Sequence, residues 1–441
     1  MTVFFNRKEE LQSLGDILNQ SYTSSCFTII TGRRRVGKTE LLKQFLTAQC
    51  KKEQSAYLFT FRSSESILCK QWQKDLEDQI SLKIFGRVES LRDLFEQVFI
   101  FAQTQNITLV IDEFQDLDNI NKAFFSQLQN VWDSYKASAK INLIVSGSVF
   151  SMMTHIFMHN REPLFGRSTH QIHLQPFTPS AIKEILGTFY PQFDQEDLLC
   201  LYMLSGGVAK YIFLLMEAKA FTKHKMIDYA ISSTSPFLTD GKELLASEIG
   251  KDYGIYFSIL SLISSGLTSQ SEIDSIILKN TGNYLHNLEK AFSAIKPVRP
   301  LFSKPGSRNL RYFISDPYLR FYFKFIWANQ SIIELGQYNA LKEIIFGEYQ
   351  SFTGKTLETY FLAKIAEEEK ITELGSWWDK KSQNEIDIIA LNAIEKTAII
   401  YEVKRQKNKI HLSQLKEKAI FLNENLKDYS IRFEALSMSE M

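Results

Sequence analysis

Gly32-Arg33-Arg34-Arg35-Val36-Gly37-Lys38-Thr39 fits the pattern G-x-x-x-x-G-K-[ST] at every fixed position. Phe27-Thr28-Ile29-Ile30-Thr31 before it is a short apolar, β-branched run that reads as a buried strand. Glu40-Leu41-Leu42-Lys43-Gln44-Phe45-Leu46 after it carries helical spacing. Strand, glycine-bounded loop and helix N-terminus together form an anion cradle, in which backbone N–H groups and the helix dipole face phosphate. Gly32 and Gly37 allow backbone angles and close approach that a side chain would block. Lys38 is expected to reach the β and γ oxygens, and the Thr39 hydroxyl to ligate Mg²⁺. A basic turn that merely contained two glycines would lack the flanking strand and helix. The stretch predicts a nucleoside triphosphate site, with ATP and Mg²⁺ as cofactors.

Working outward, residues 2–20 place Leu11, Leu14, Ile17 and Leu18 at helical spacing behind Asn6, which is expected to cap that helix with Glu9 three residues on. Directly upstream of the cradle, this entry segment is expected to pack beside the adenine. The cofactor-binding set is therefore Gly32 through Glu40 together with Asn6 and Arg7. Downstream, Ala56-Tyr57-Leu58-Phe59 reads as a second strand, followed by a helical region from about 66 to 104. Thr108-Leu109-Val110-Ile111-Asp112-Glu113 is a buried strand ending in two acids. Asp112 is assigned to hold Mg²⁺ through water, and Glu113 to orient and deprotonate the attacking water. Ile141 to Ser148 is a further apolar strand, whose Ser146 or Ser148 either touches the γ-phosphate or marks a plain strand exit. Arg167 either stabilises transition-state charge or sits in a structural ion pair. His155 and His159 lie four apart without an evident third ligand, and read as surface or core histidines.

Composition narrows the classes. A chain of 441 residues, 44% hydrophobic and 23% charged, is an ordinary globular sequence with room for about three domains. Its net charge of +1 excludes global attraction to nucleic acid, so any such binding needs local patches. The four cysteines have no metal spacing and suit a reducing compartment. No signal-peptide pattern and no membrane-length apolar run is present, so a cytoplasmic protein without a membrane partner is expected.

The cradle, the acids at 112–113, the serine-ended strand, Phe165-Gly166-Arg167 and Ser205-Gly206-Gly207 resemble the archaeal-type ATPases of the AAA+/STAND P-loop superfamily. The resemblance covers roughly residues 1–240. It implies a five-strand parallel αβα core followed by a helical lid. Members often carry a proline shortly after the Gly-Gly, where this chain has Val208-Ala209.

The second half adds other modules. A helix at 255–265, helix-start chemistry at Thr268-Ser269-Gln270-Ser271-Glu272, a further amphipathic helix at 283–292 and then a hairpin from Val298 to Ile314 read as a winged helix. Lys296, Arg299, Lys304, Arg308 and Arg311 make its wing basic. The wing either lies on DNA phosphates or serves as a protein-docking or lid element. Asp316-Pro317 and an aromatic helix follow, in an order that resembles the C-terminal extension of unknown function found in these ATPases.

Glu385-Ile386-Asp387-Ile388-Ile389-Ala390 and Ile399-Ile400-Tyr401-Glu402-Val403-Lys404 are two β-rich runs. A hairpin symmetrical about Ile394 and Glu395 sets Asp387 across from Glu402, with Lys404 on the same face. Such facing carboxylates repel unless a divalent cation, Mg²⁺ or Mn²⁺, lies between them. On pattern alone this is an amphipathic hairpin with charged residues outward. The D-x(n)-E-x-K arrangement also resembles the core of the PD-(D/E)XK nuclease fold, without the proline of the motif's name. That resemblance implies metal ligation by Glu358, Asp387 and Glu402, and a catalytic role for Lys404.

The reading is an α/β chain: a P-loop core over 1–175, a helical lid over 176–247, a winged helix with linker helix over 248–335, and a nuclease-like domain over 336–441. ATP-regulated DNA cleavage is expected, with catalytic groups Lys38, Glu113, Arg167, Asp387, Glu402 and Lys404. A nucleotide-switch DNA-binding regulator with an inactive nuclease fold is the alternative, and a small-molecule kinase a poorer third. ATP and DNA are the expected partners, a protein partner is compatible with the wing, and oligomeric state is left open.

Overall fold

A computed structural model describes residues 4–50, 54–84, 88–148, 150–250, 253–304, 306–307, 309–381 and 383–441. The chain forms two compact units, one ending at Gln175 and one beginning at Pro176.

In the first unit five apolar runs make strands β1 (Cys26–Thr31), β2 (Gln54–Phe59), β3 (Ile107–Asp112), β4 (Ile141–Ser146) and β5 (His170–His173). All pair in parallel, in the order β2-β3-β4-β1-β5. A parallel sheet needs crossover helices on its faces, and so is buried on both sides. Period-two alternation divides the strand residues accordingly. Phe27, Leu109, Ile111, Leu143 and Val145 join Trp72, Phe95, Phe99 and Trp132 on one face. Ile30, Val110 and Ile144 join Leu14, Leu41, Leu42 and Phe45 on the other. The expected helical region from 66 to 104 is two helices, Glu65–Ile80 and Leu91–Phe101.

The second unit begins with helices between Pro179 and Ile249. Among them the pair Gly206-Gly207 has a steric cause, because a Cβ on Gly207 would come 2.2 Å from the Phe177 carbonyl oxygen. Helices Tyr253–Ser264, Gln270–Ile277 and Gly282–Lys290 follow, then an antiparallel pair β6 (Ile295–Val298) and β7 (Arg311–Ile314). The aromatic segment is not one regular helix. An α turn over Pro317–Phe321 passes into a π-helical turn over Tyr322–Ile326 and a 3₁₀ turn over Trp327–Asn329, which suits the burial of Tyr318, Phe321, Tyr322, Phe323 and Phe325 together.

The helix Tyr338–Glu368 leads into a four-stranded sheet of β8 (Glu373–Trp378), β9 (Glu385–Asn392), β10 (Thr397–Val403) and β11 (Ser430–Leu436). The order is β11-β10-β9-β8, antiparallel except for β11, which runs parallel to β10. Ile386, Ile389, Leu391, Ala398 and Ile400 pack with Leu415 of the helix Leu412–Ala419. Nearly every residue of β9 and β10 is buried or half-buried, so the hairpin does not present a solvated outer face.

Candidate active site and comparisons

Parallel strands bring their carboxyl ends to one edge, where ligands of open α/β sheets bind. The loop after β1 and the acids after β3 therefore meet at the end of β4 between them. Ile111 pairs with Val145, which makes Asp112 and Ser146 the next residues along. The Ser146 hydroxyl donates to Asp112 Oδ1. Asp112 also accepts from Thr39 Oγ1 at 2.8 Å, from the Tyr57 hydroxyl at 2.5 Å and from the Glu113 backbone N–H at 3.0 Å. A hydroxyl and a carboxylate side by side are hard oxygen donors of the kind Mg²⁺ takes. Thr39 and Asp112 thus fit that ion, which would supply positive charge to phosphate.

Glu113 occupies the left-handed region at φ 54°, uncommon for a residue with a side chain. Its Oε2 accepts from Gln115 Nε2 at 2.6 Å and from the Ser148 hydroxyl at 2.7 Å. Arg34 Nε in turn donates to Ser148 Oγ at 3.3 Å. The carboxylate is fixed by side chains on both sides, as a water-orienting base requires.

Lys38 is buried at 6% exposure, and its ammonium donates to the carbonyls of Gly32 at 2.7 Å and Arg33 at 3.0 Å. Burial lowers it to about 8, against the opposing pull of Glu113 and Asp112. Gly32 has φ 152°, and a Cβ there would lie 2.6 Å from the Leu174 carbonyl oxygen. Gly37, at φ 102°, and Arg35, at φ 75°, shape the rest of the loop. Val36 is buried, and exposed Glu40 lies in the first turn of the helix Lys38–Gln49.

Asn6 does not cap the first helix. Arg7, at φ 65°, stands at the N-cap of Lys8–Ser21, and Asn6 Oδ1 accepts from the Arg7 N–H instead. Arg7 is buried, pairs with Glu10 at 3.0 Å, and donates to the carbonyls of Val36 and Gln175 at 3.4 and 2.6 Å. It braces the phosphate loop from behind. Arg167 is held away from the strand-end network: it pairs with Asp133 at 2.8 Å and donates to the Pro163 carbonyl, so the structural ion pair is the arrangement seen. Tyr57 and Gln115 were not legible as site residues, because which strand neighbours β3 is not written in the sequence.

A second cluster lies in the other unit. The β9–β10 register pairs Thr397 with Asn392 and Tyr401 with Ile388, symmetrical about Ile394 and Glu395, and the next residues are Asp387 and Glu402. Lys404 Nζ bridges them, 3.2 Å from Asp387 Oδ2 and 2.9 Å from Glu402 Oε1. Asp387 Oδ2 also accepts from the Val403 N–H at 2.8 Å. Burial lowers the Lys404 ammonium, but the two carboxylates outweigh it and hold it above its ordinary value. Glu402 is 8% exposed, and its Oε2 has no hydrogen-bond partner among the described residues, with Lys418 Nζ 3.6 Å away. Glu358, on the helix Tyr338–Glu368, pairs with Lys355. Burial pushes its carboxyl up, with Asp387 and Glu385 adding to the rise and Lys355 opposing it. Glu358 and Lys404 line one cleft of about 560 Å³. Helix, β9 and the end of β10 thus bring Glu358, Asp387, Glu402 and Lys404 into one neighbourhood, with the Lys404 ammonium between Asp387 and Glu402. The acids are oxygen donors of the kind Mg²⁺ or Mn²⁺ takes, though their ligand atoms are not all within 4.8 Å of one another.

The β6–β7 segment expected to form a wing is less free than its charge suggests. Arg311 pairs with both Glu385 oxygens at 3.1 Å and lies over the Trp378 ring at 4.4 Å. Trp378 Nε1 donates to Asn309 Oδ1 at 2.9 Å, and the Leu301 N–H to the Ser376 carbonyl at 2.9 Å. The segment between β6 and β7 is therefore packed on β8, and Arg311 is not an unoccupied phosphate contact. Arg308 lies outside the described residues.

Residues 4–215 match a family described as an ATPase domain predominantly from Archaea. Residues 322–420 match a family of Archaea bacterial proteins of unknown function. An uncharacterized protein of Methanocaldococcus jannaschii is 28% identical over 411 residues, 91% of this chain and 87% of that protein. Among solved structures, the Walker-type ATPase of Pyrococcus abyssi superposes with a TM-score of 0.55 at 19% identity, covering 73% of this chain and 96% of that one. The ORC2 protein of Aeropyrum pernix superposes with a TM-score of 0.51 at 13% identity, covering 76% and 96%. No helix among the described residues is long and apolar enough to cross a membrane. With a phosphate loop, two strand-end acids locked beside it and an ATPase-domain match over the same residues, the chain is a P-loop ATPase, an ATP-hydrolysing enzyme.

Proposed function

We propose that this ATPase is an ATP-regulated, metal-dependent DNA nuclease. In this reading Thr39 and Asp112 hold Mg²⁺, Lys38 neutralises the β and γ phosphates, and Glu113 takes the proton of the attacking water. Residues 1–175 act as the ATPase core, 176–247 as a helical lid, 248–335 as a winged helix with its linker, and 336–441 as the nuclease-like domain. The observation that carries the second activity is the convergence of Glu358, Asp387, Glu402 and Lys404 from one helix and two strands. Buried acids gathered round one ammonium are costly to maintain in a fold that does not use them. A divalent ion there supplies Lewis acidity toward a phosphodiester. Asp387, Glu402 and Glu358 would bind it, and Lys404 would face the phosphate or the attacking water.

The switch reading, in which the chain binds DNA without cutting it, needs a DNA contact other than Arg311. Arg311 is consumed by Glu385 and Trp378, so the wing holds the C-terminal sheet as a clamp does. The two readings separate in a cleavage assay with Mn²⁺ or Mg²⁺. Wild-type protein should cut DNA and Asp387→Ala should not. Metal-independent cutting, or equal cutting by both proteins, would remove the assignment.

A further inference from the structure

The helix Phe150–Met158, which follows β4, carries His155 in its last turn, and His159 comes directly after the helix. A turn then folds back, with the His159 N–H donating to the His155 carbonyl at 3.4 Å and the Glu162 N–H to the His159 carbonyl at 3.0 Å. It returns a carboxylate that sequence spacing does not announce. One ligand atom each from His155, His159 and Glu162 lies within 4.8 Å of the others. The imidazole rings are nearly parallel, 10° apart with centroids at 5.2 Å, and His155 Nδ1 is 3.4 Å from Glu162 Oε1.

We infer that His155, His159 and Glu162 form a binding site for a borderline transition-metal ion of the Zn²⁺ class. The histidine–glutamate pair and the stacking of the two rings set all three side chains side by side at the end of one helix. Two imidazole nitrogens with one carboxylate oxygen make a donor set that suits Zn²⁺, Ni²⁺ or Cu²⁺, and disfavours Mg²⁺, which takes oxygen ligands. Three protein ligands leave the remaining positions to water, and the His155 side chain is 61% exposed, so an ion reaches it from solvent. The hydrogen-bonded turn runs on from Glu162 through Phe165 to Arg167, which is anchored to Asp133. A bound ion would therefore staple the helix end to that turn. The site is independent of the nuclease reading, since its donors belong to the ATPase unit and differ in kind from the C-terminal carboxylates.

The test is a Zn²⁺ titration of the full chain against a chromophoric chelator. Wild-type protein should hold one Zn²⁺ that the His155→Ala/His159→Ala double variant loses, with affinity weakened at least about 100-fold, the upper end of what loss of even outer partners costs. Glu162→Gln should weaken it by about tenfold. Asp387→Ala should keep the tight ion, which separates this site from the C-terminal cluster. Unchanged ATP binding by the double variant establishes that it is folded. Equal Zn²⁺ stoichiometry and affinity in wild-type and double variant would overturn the site, as would displacement of the ion by millimolar Mg²⁺.

Discussion

Lys38 is buried against its own loop carbonyls, and burial holds its ammonium at about 8 rather than the ordinary 10.5. Below pH 8 the group is charged in folded and unfolded chains alike, and burying that charge is a cost to folding. Between about 8 and 10.5 the folded state gives up the proton while the unfolded state keeps it, so this cost fades as pH rises. Nucleotide phosphates favour the charged form. Calorimetry in buffers of differing ionisation enthalpy should then show proton uptake on ATP binding above pH 8, with affinity falling up to about tenfold per pH unit. Binding that is independent of pH from 7 to 9.5 would contradict it. Glu113, in a left-handed conformation and held by Gln115 and Ser148, should act differently. Glu113→Gln keeps the shape but cannot take a proton, so ATP affinity should stay within a few-fold while turnover falls about 10²-fold or more. Steady-state kinetics would check this, and wild-type turnover would remove Glu113 as the base.

Among the elements, the β6–β7 pair, proposed as a wing, and the β9–β10 hairpin answer different questions. Arg311 is already neutralised by Glu385 and stacked on Trp378. Arg311→Ala should therefore leave the salt dependence of DNA binding alone and lower thermal stability by about 1 kcal/mol, since the pair is partly screened. If DNA reaches the wing, Arg299→Ala and Lys304→Ala should each flatten the log–log salt slope by about 0.9. Filter binding over a salt series separates these outcomes, and a flattened slope in Arg311→Ala would refute the clamp. The hairpin register was legible because only a turn centred on Ile394 and Glu395 aligns the two apolar runs without slipping a face. The β1 loop was legible because its glycines have a backbone cause that no side chain can replace. Partners made across the chain were not. Tyr57 reaches Asp112 only because β2 lies beside β3, and Arg311 meets Glu385 only through packing of the wing on β8. The cap assigned to Asn6 failed for a local reason: its side chain accepts from the next N–H, and the helix begins one residue later.

For the whole molecule, a near-neutral chain carries an ATP site and a second charged cluster of different design. The ATP site sets a cationic loop against two acids at a sheet edge, and the C-terminal cluster gathers three acids around one lysine. In the proposed function, ATP turnover governs metal-dependent cleavage at the second cluster. The most direct measurement follows DNA cleavage and ATP hydrolysis in the same Mn²⁺ reaction, for wild-type, Glu113→Gln and Asp387→Ala proteins, with ATP, with ADP and with neither. Wild-type cleavage should change with nucleotide, Glu113→Gln should lose that response to turnover, and Asp387→Ala should hydrolyse ATP normally while cutting nothing. Normal ATP hydrolysis by a wild-type protein that cuts no DNA in any nucleotide state would contradict a nuclease role for the second cluster.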